Sequence, residues 1–317
     1  MSGGLRIGVL ACALLLPLRA GADEPEPAPL VVSGSVSCGA ANRGSLQQPA
    51  IIADRGPGWV RPSTWARRGA RYGTDELVGL LRRAAARVAD EYPGSLLGIA
   101  DLSREHGGAA AGHRSHQSGR DADLLYYAID EQQRYVAPDS VMPYYTRSGK
   151  ASYAKAPTWT PRIPVRYFDL ERNWALIRAL LEDQHAEVIS IFVASSVKYW
   201  LIKYAEEIGA PAALVTKARH TVVVPRNVGS HNDHLHIRVA CSADDRLAGR
   251  CRDELAPSRK RGKHYAQVRC PAPNVVLRPR DANRAATTAA TSIITVPSAL
   301  NRTNTPSALT ATPAPEQ

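Results

Sequence analysis

The chain has 317 residues, of which 44% are hydrophobic and 22% charged, enough apolar material to bury a sizeable core and to exclude disorder throughout. Its longest apolar run, Ile7 to Leu18, falls short of the roughly 20 residues that cross a bilayer, so a polytopic membrane protein is excluded too. The formal net charge of +11 favours a polyanionic partner.

The first 22 residues read as a secretory signal peptide. Arg6 precedes the apolar run, and Ala20-Gly21-Ala22 supplies a small-x-small cleavage site before the acidic, Pro-rich Asp23-Glu24-Pro25-Glu26-Pro27. Its removal takes Arg6, Arg19 and Cys12 with it and leaves a charge of +9. A lipid anchor on Cys12 is disfavoured, because the hydrophobic stretch ahead of it is too short. Export to a periplasmic or extracellular compartment makes anionic wall polymer or lipid headgroups the expected counterpart of the basic charge, rather than nucleic acid. No integral membrane segment is expected in the mature chain. Cys38, Cys241, Cys251 and Cys270 then imply two disulfides, with three connectivities open.

Residues 23–57 are rich in Pro, Gly, Ser and Ala without a clear period, and read as an irregular N-terminal segment pinned through Cys38. The compact domain is expected over 58–280. Thr74 is placed to cap a helix to about Glu91, with Leu77, Leu80, Leu81, Ala84 and Val88 at helical spacing and Pro93-Gly94 as its stop. A strand is expected from about Leu96 to Leu102, then a side-chain-bearing loop from Ser103 to Arg120, then a strand from Leu124 to Ile129. Asp130 to Arg166 reads as a long irregular insertion. Phe168 to Asp183 is a helix capped by Asp169, with Trp174, Ile177, Leu180 and Leu181 as its apolar stripe. Val188 to Ala194 has strand length, a second amphipathic helix runs from about Ser196 to Gly209, and Leu235 to Ala240 is the last strand. The tail 281–317, nearly uncharged and rich in Ala, Thr, Pro and Ser, is expected to be disordered. This order, with no regular βαβ repeat and no GxGxxG, indicates an α+β domain with a small antiparallel sheet flanked by helices and long loops.

Five of the nine histidines fall in two clusters, His113 to Asp123 and His231 to His236. His234 and His236 are two apart on an expected strand, so they leave the same face and can converge on one point. His116 precedes Asp123 by seven residues, far enough for a loop to bring an imidazole and a carboxylate together. Two nitrogens and one oxygen form the three-ligand set of a catalytic zinc, whose fourth position is left for water.

The strings Gly112-His113-Arg114-Ser115-His116-Gln117-Ser118-Gly119-Arg120-Asp121-Ala122-Asp123 and His231-Asn232-Asp233-His234-Leu235-His236 resemble the zinc signature shared by the lysostaphin-type, D-Ala-D-Ala and Hedgehog-like metallopeptidases. Within that group the chain resembles the penicillin-insensitive murein endopeptidases. Asp101-Leu102-Ser103, Phe168-Asp169 and Asn173-Trp174 fit the same family, and the resemblance runs from about Trp59 to Cys251. It implies a core of the lysostaphin/D-Ala-D-Ala/Hedgehog type, with His116, Asp123 and His236 as Zn2+ ligands. It further implies His234 beside the metal as a non-ligand, His231 as a further active-site histidine, and His113 as a supporting or second-site residue. The substrate implied is cross-linked peptidoglycan, cleaved at the D-Ala to meso-diaminopimelate amide. The carboxypeptidase branch has a general-base glutamate with no counterpart beside His234, which favours a histidine-assisted reaction.

Rival readings accompany each residue. His113 and His116 could be surface residues on a helical turn, although Gly112 and Gly119 break such a helix. Asp121 is expected to be solvent-exposed or loop-capping rather than a ligand, and Asp233 to orient a neighbouring imidazole rather than to replace Asp123 as a ligand or serve a second metal site. His106, His185, His220 and His264 are expected to have no catalytic role. The insertion's Trp and Tyr residues could line a groove but read rather as core, and Arg259-Lys260-Arg261-Gly262-Lys263 as a solvated face rather than a wall-binding patch. A D,D-carboxypeptidase or dipeptidase on the same scaffold is the rival enzyme. A non-catalytic wall-binding protein is the rival class, and it would be expected to have lost a ligand. The oligomeric state is left open by the sequence.

Overall fold

The computed structural model describes residues 34–153, 165–225, 231–256 and 268–270. The expected signal peptide, the basic stretch 259–263, His264 and the tail 281–317 lie outside the described residues. The elements that position the site are, in chain order, β1 (Val36–Ala40), β2 (Arg43–Gln47), α1 (Asp75–Glu91), β3 (Asp121–Leu125), α2 (Leu170–Leu181), β4 (Val188–Phe192), α3 (Ser195–Glu207), α4 (Ala212–Thr221), β5 (Val222–Val223), β6 (His234–Val239) and α5 (Ala243–Leu247).

The central sheet has the strand order β5-β4-β6-β3. Its β4-β6 and β6-β3 pairs are antiparallel and its β4-β5 pair is parallel, so the fold is mixed α and β with a small sheet that is antiparallel except at one edge. The parallel edge follows from α4, a helix the sequence reading did not contain. It starts after Pro211, and only Leu214, Val215 and Ala218 are buried, too few apolar positions to stand out as a stripe.

The two faces of the sheet differ in chemistry. Ala122, Leu124, Ile191, Leu235 and Ile237 lie in the main hydrophobic cluster, together with Leu77, Leu81, Leu176 and Ile177 from α1 and α2. Alternation then turns Asp121, Asp123, His234, His236 and Arg238 to the opposite face. α1 forms where expected: Thr74 Oγ1 accepts the Leu77 amide at 3.3 Å, and Asp75 and Glu76 occupy the positive end of the helix dipole. α2 is capped by Asp169, whose Oδ1 accepts the Arg172 amide at 3.0 Å.

Three expectations change. The strand anticipated over Leu96 to Leu102 is paired as a strand only at Leu97–Gly98. The strand expected from Leu124 begins at Asp121, which puts both aspartates of the motif on the sheet. Within the segment read as irregular, residues 36–47 form a hairpin with Val36 opposite Gln47. Its alternation was hidden by small residues, but its role is structural. Leu46 N donates to His106 O at 3.0 Å and Gln117 N to Ala41 O at 3.1 Å, so the hairpin braces both ends of the histidine-bearing loop. Gly119, at φ +79° against Leu46, has no room for a side chain there.

Two further locks close the domain. Disulfides join Cys38 to Cys270 and Cys241 to Cys251, with Cα separations of 5.5 and 5.8 Å. The buried Arg120 donates to Val239 O at 3.1 Å, Asp253 Oδ1 at 2.8 Å and Arg252 O at 2.8 Å, tying β3 to the segment after β6.

Asn173, buried on α2, spans the chain just beyond β3. Its Oδ1 accepts the Tyr127 amide at 3.1 Å, while Nδ2 donates to Tyr127 O at 2.9 Å and Asp169 O at 2.7 Å. Asn173→Ala strands the Tyr127 amide without an acceptor, and a loss of about 1–3 kcal/mol in unfolding free energy is expected. Urea denaturation monitored by tryptophan fluorescence measures it, and an unchanged midpoint would refute this role.

Candidate metal centre

The centre lies where β3 and β6 pair in register. Asp123 stands opposite His236, Asp121 opposite Arg238, and Leu125 opposite His234. The loop 103–119 delivers His113 and His116 over the same face, with the His113 and His116 ring centroids 4.3 Å apart and those of His116 and His236 4.8 Å apart.

His116 is fully buried at φ +64°, a left-handed conformation that is uncommon for a side chain of this kind. Two contacts hold it there. Its amide donates to Asp121 Oδ2 at 3.2 Å, and its Nδ1 lies 3.1 Å from Leu102 O. A carbonyl is an acceptor only, so Nδ1 carries a proton, and in the neutral ring Nε2 keeps its lone pair. That Nε2 is 3.3 Å from Asp123 Oδ1. On the other side of Asp123, His236 Nδ1 is 3.1 Å from the same oxygen, while His236 Nε2 donates to Asp121 Oδ1 at 2.8 Å.

Despite these short separations, His116 Nε2 and Asp123 Oδ1 are buried with no hydrogen-bond partner among the described residues. They face each other as electron-pair donors, an arrangement that costs free energy unless a positive centre sits between them. A tetrahedral ion with bonds of about 2.0–2.1 Å spaces its ligands by about 3.3–3.4 Å, close to the 3.3 and 3.1 Å observed. Residues whose ligand atoms fall within 4.8 Å of one another form two groups, His113/His116/Asp123 and His231/His234/His236. The Asp123–His236 contact joins them, so the two groups surround one region that could hold a cation.

Electrostatics point the same way. Burial pushes the Asp123 pKa up, but the neighbouring His116 and His234 hold it well below the usual carboxylate range. Burial also opposes ionisation of Asp121, and Arg238 and His236 overcome it and lower its pKa. Burial would lower the His236 pKa, yet its hydrogen bond to Asp121 and the charges of both aspartates push it up to about 9. Two ionised, dry carboxylates attract positive charge from whatever source is at hand.

The remaining residues surround this point. His113 lies between carboxylates, with Nδ1 3.5 Å from Asp123 Oδ2 and Nε2 3.2 Å from Asp101 Oδ2. His234 Nε2 is 3.5 Å from Asp123 Oδ1, and its Nδ1 is 2.8 Å from Asp233 Oδ1. The His231 ring lies 5.0 Å from that of His234, and its carbonyl accepts the Tyr126 hydroxyl at 3.0 Å. Tyr126, Tyr145 and Phe168 pack edge-on or tilted against one another as a buried cluster, and Tyr126 and Tyr145 also line an adjoining groove. His106, His185 and His220 are exposed.

Asp121 departs from expectation. It caps the His116 loop, but it is completely buried instead of solvent-exposed. Besides the His116 amide and His236, it accepts Arg238 Nε at 2.8 Å. One carboxylate thus orients both the loop histidine and the strand histidine. The D-x-D spacing facing H-x-H was its only signal, and strand pairing was needed to read it.

Residues 37–288 match the family described as penicillin-insensitive murein endopeptidase, a longer reach than the motif-bearing core. A protein of that name from Klebsiella pneumoniae is 26% identical over 230 residues, covering 71% of this chain and 73% of the relative. One from Escherichia coli is 26% identical over 191 residues, 59% of each chain, and one from Shigella boydii matches to the same extent. The chain thus spans about three fifths of the length of the latter relatives.

Asp121→Asn keeps the shape of the side chain but weakens its hold on the His236 ring. Affinity for a divalent cation is expected to fall about 10- to 100-fold, the usual cost of losing a carboxylate behind a ligating histidine, with a folded far-UV spectrum retained. Competition with a chromophoric chelator reads the affinity. Wild-type affinity in Asp121→Asn would remove this residue from the centre.

Proposed function

The chain belongs to the penicillin-insensitive murein endopeptidase family, and from that premise we propose that it hydrolyses peptidoglycan cross-links at the D-Ala to meso-diaminopimelate amide, with Zn2+ held by His116, Asp123 and His236. The observation that carries the reading is the pair of buried, partnerless donors, His116 Nε2 and Asp123 Oδ1, beside His236 Nδ1. The donor set of two imidazoles and one carboxylate suits zinc and leaves a coordination position open. When bound, zinc supplies Lewis acidity toward the scissile carbonyl and lowers the pKa of a water toward about 7.

The chain's own residues then handle protons. Asp233 accepts from His234 Nδ1, which leaves Nε2 as the working nitrogen on the side of Asp123. Burial would lower the His234 pKa, but Asp123 and Asp233 raise it above its ordinary value. These carboxylates favour the protonated ring, which is placed to pass a proton to the departing amine. His231, a ring away from His234, assists in the same proton transfer or stabilises developing negative charge on the carbonyl oxygen. No serine takes part, so β-lactams, which acylate serine enzymes, are without a target. His113, tied to Asp101, supports Asp123 from the side away from His236.

This reading extends to the scaffold and the compartment. It assigns the four-stranded sheet to the core shared by lysostaphin-type, D-Ala-D-Ala and Hedgehog-like metallopeptidases, within a catalytic domain over 58–280. Two disulfides suit an oxidising compartment, consistent with export to the periplasm through the signal at 1–22. Among the described residues no helix is long and apolar enough to cross a membrane. The basic charge of the chain complements an anionic wall.

Metal analysis and muropeptide mass spectrometry test the proposal together. The wild-type protein is expected to carry about one zinc, which His116→Ala, Asp123→Ala or His236→Ala each removes. His234→Ala is expected to keep its zinc yet cleave cross-linked dimers slower by a factor on the order of 10² or more. Dimers should become monomers in the presence of penicillin, without release of free D-alanine. Release of D-alanine from a monomeric pentapeptide would favour a carboxypeptidase instead, and full zinc occupancy in all three ligand variants would refute the ligand set.

A further inference from the structure

A small open cleft adjoins the metal centre, lined among others by Leu125, Tyr126, Asp139, Tyr145, Arg166 and Asp233. Leu125 is the cross-strand partner of His234, and Asp233 accepts from the His234 ring, so the cleft shares a wall with the residue assigned to proton transfer. Arg166 is the group in it that nothing so far explains. It is only 6% exposed, and its Nε is buried without a hydrogen-bond partner among the described residues. A guanidinium is too costly to bury with a donor unused unless something meets that donor.

Arg166 is also held rigidly. Its carbonyl accepts the Ala151 amide at 2.8 Å, and its Nη2 donates to Asp139 Oδ2 at 2.5 Å. Asp139 is fixed in turn, since its Oδ1 accepts the Val141 amide at 2.8 Å. The two carboxylates on the cleft wall are thus both engaged, Asp139 by Arg166 and Asp233 by His234. Arg166 thus lines the cleft as a fixed guanidinium with one donor, Nε, still without a hydrogen-bond partner among the described residues, and a planar guanidinium suits a carboxylate.

We propose that this cleft is a carboxylate subsite in which Arg166 receives the free carboxylate that the cross-linked peptide carries beside the scissile amide. The proposal rests on the murein reading. meso-Diaminopimelate has two amino-acid centres, and acylating the amine of one leaves that centre's carboxylate free, two bonds from the amide nitrogen. At the same place along an ordinary polypeptide stands a neutral carbonyl. Arg166 therefore separates wall cross-links from protein chains by charge, at a fixed short distance from the cleaved bond.

The test uses the zinc-loaded protein and two synthetic cross-linked peptides that differ only in this group, one with the carboxylate and one with a carboxamide. Wild-type kcat/KM is expected to favour the carboxylate about 10- to 100-fold, the scale of a hydrogen bond to a charged partner, mostly through KM. Arg166→Gln should bring the carboxylate peptide down to the rate of the carboxamide, and Arg166→Lys should restore part of the difference. The diaminopimelate-bearing product peptide, titrated calorimetrically, should bind Arg166→Gln about 10-fold more weakly or worse. Equal wild-type rates on the two peptides, or a preference that survives in folded Arg166→Gln, overturns the subsite while leaving the murein reading intact. The wild-type comparison decides even if the variant does not fold. Cleavage of neither peptide by zinc-loaded wild type overturns the murein reading and the subsite with it.

Discussion

The antiparallel register of β3 against β6 is the constraint from which the site follows. It sets Asp123 opposite His236 and Asp121 opposite Arg238, so a carboxylate meets a basic side chain at each of these two steps of the ladder. A slip of one residue would turn every one of these side chains to the other face. The apolar residues between them, Ala122, Leu124, Leu235 and Ile237, are fully buried against the helices and make that slip expensive. Core packing and the site are consequently one requirement, since whatever keeps the leucines inside also keeps the aspartates and histidines together.

Such a gathering of charge is unfavourable on its own. Asp121 and Asp123 are both dry and both ionised, and a buried charge survives only with compensating partners. Arg238 and His236 compensate Asp121 directly. For Asp123 the compensation is incomplete, because Oδ1 lacks a hydrogen bond in spite of three imidazole nitrogens within 3.5 Å. The protein has spent its packing on holding lone pairs toward one point, and a cation is the natural relief.

The periphery serves to keep that arrangement still. The N-terminal hairpin braces the loop that carries His113 and His116, Arg120 binds β3 to the disulfide-closed segment after β6, and Asn173 clamps the chain beyond β3. Each uses a polar side chain to satisfy backbone groups that no regular ladder reaches. These are long-range contacts; Asn173 and Tyr127, for example, are 46 residues apart.

Local pattern was enough for several features. The helical period and caps of α1 and α2, the histidine clusters and the four cysteines available for pairing depend on residue types at short spacing, and short spacing is legible in a sequence. Family motifs extended that to His116, Asp123, His234 and His236. Three things waited for the tertiary structure. The hairpin at 36–47 lacked contrast because small residues do not show alternation. The role of Asp121 lies in bonds to His236 and Arg238, 115 and 117 residues away, which no spacing rule connects. The pairing of Cys38 with Cys270 and Cys241 with Cys251 was one of three options until the chain brought their Cα atoms within disulfide reach. In each case the deciding quantity is proximity between distant segments, and proximity is set by how the core packs and how strands register, not by composition along the chain.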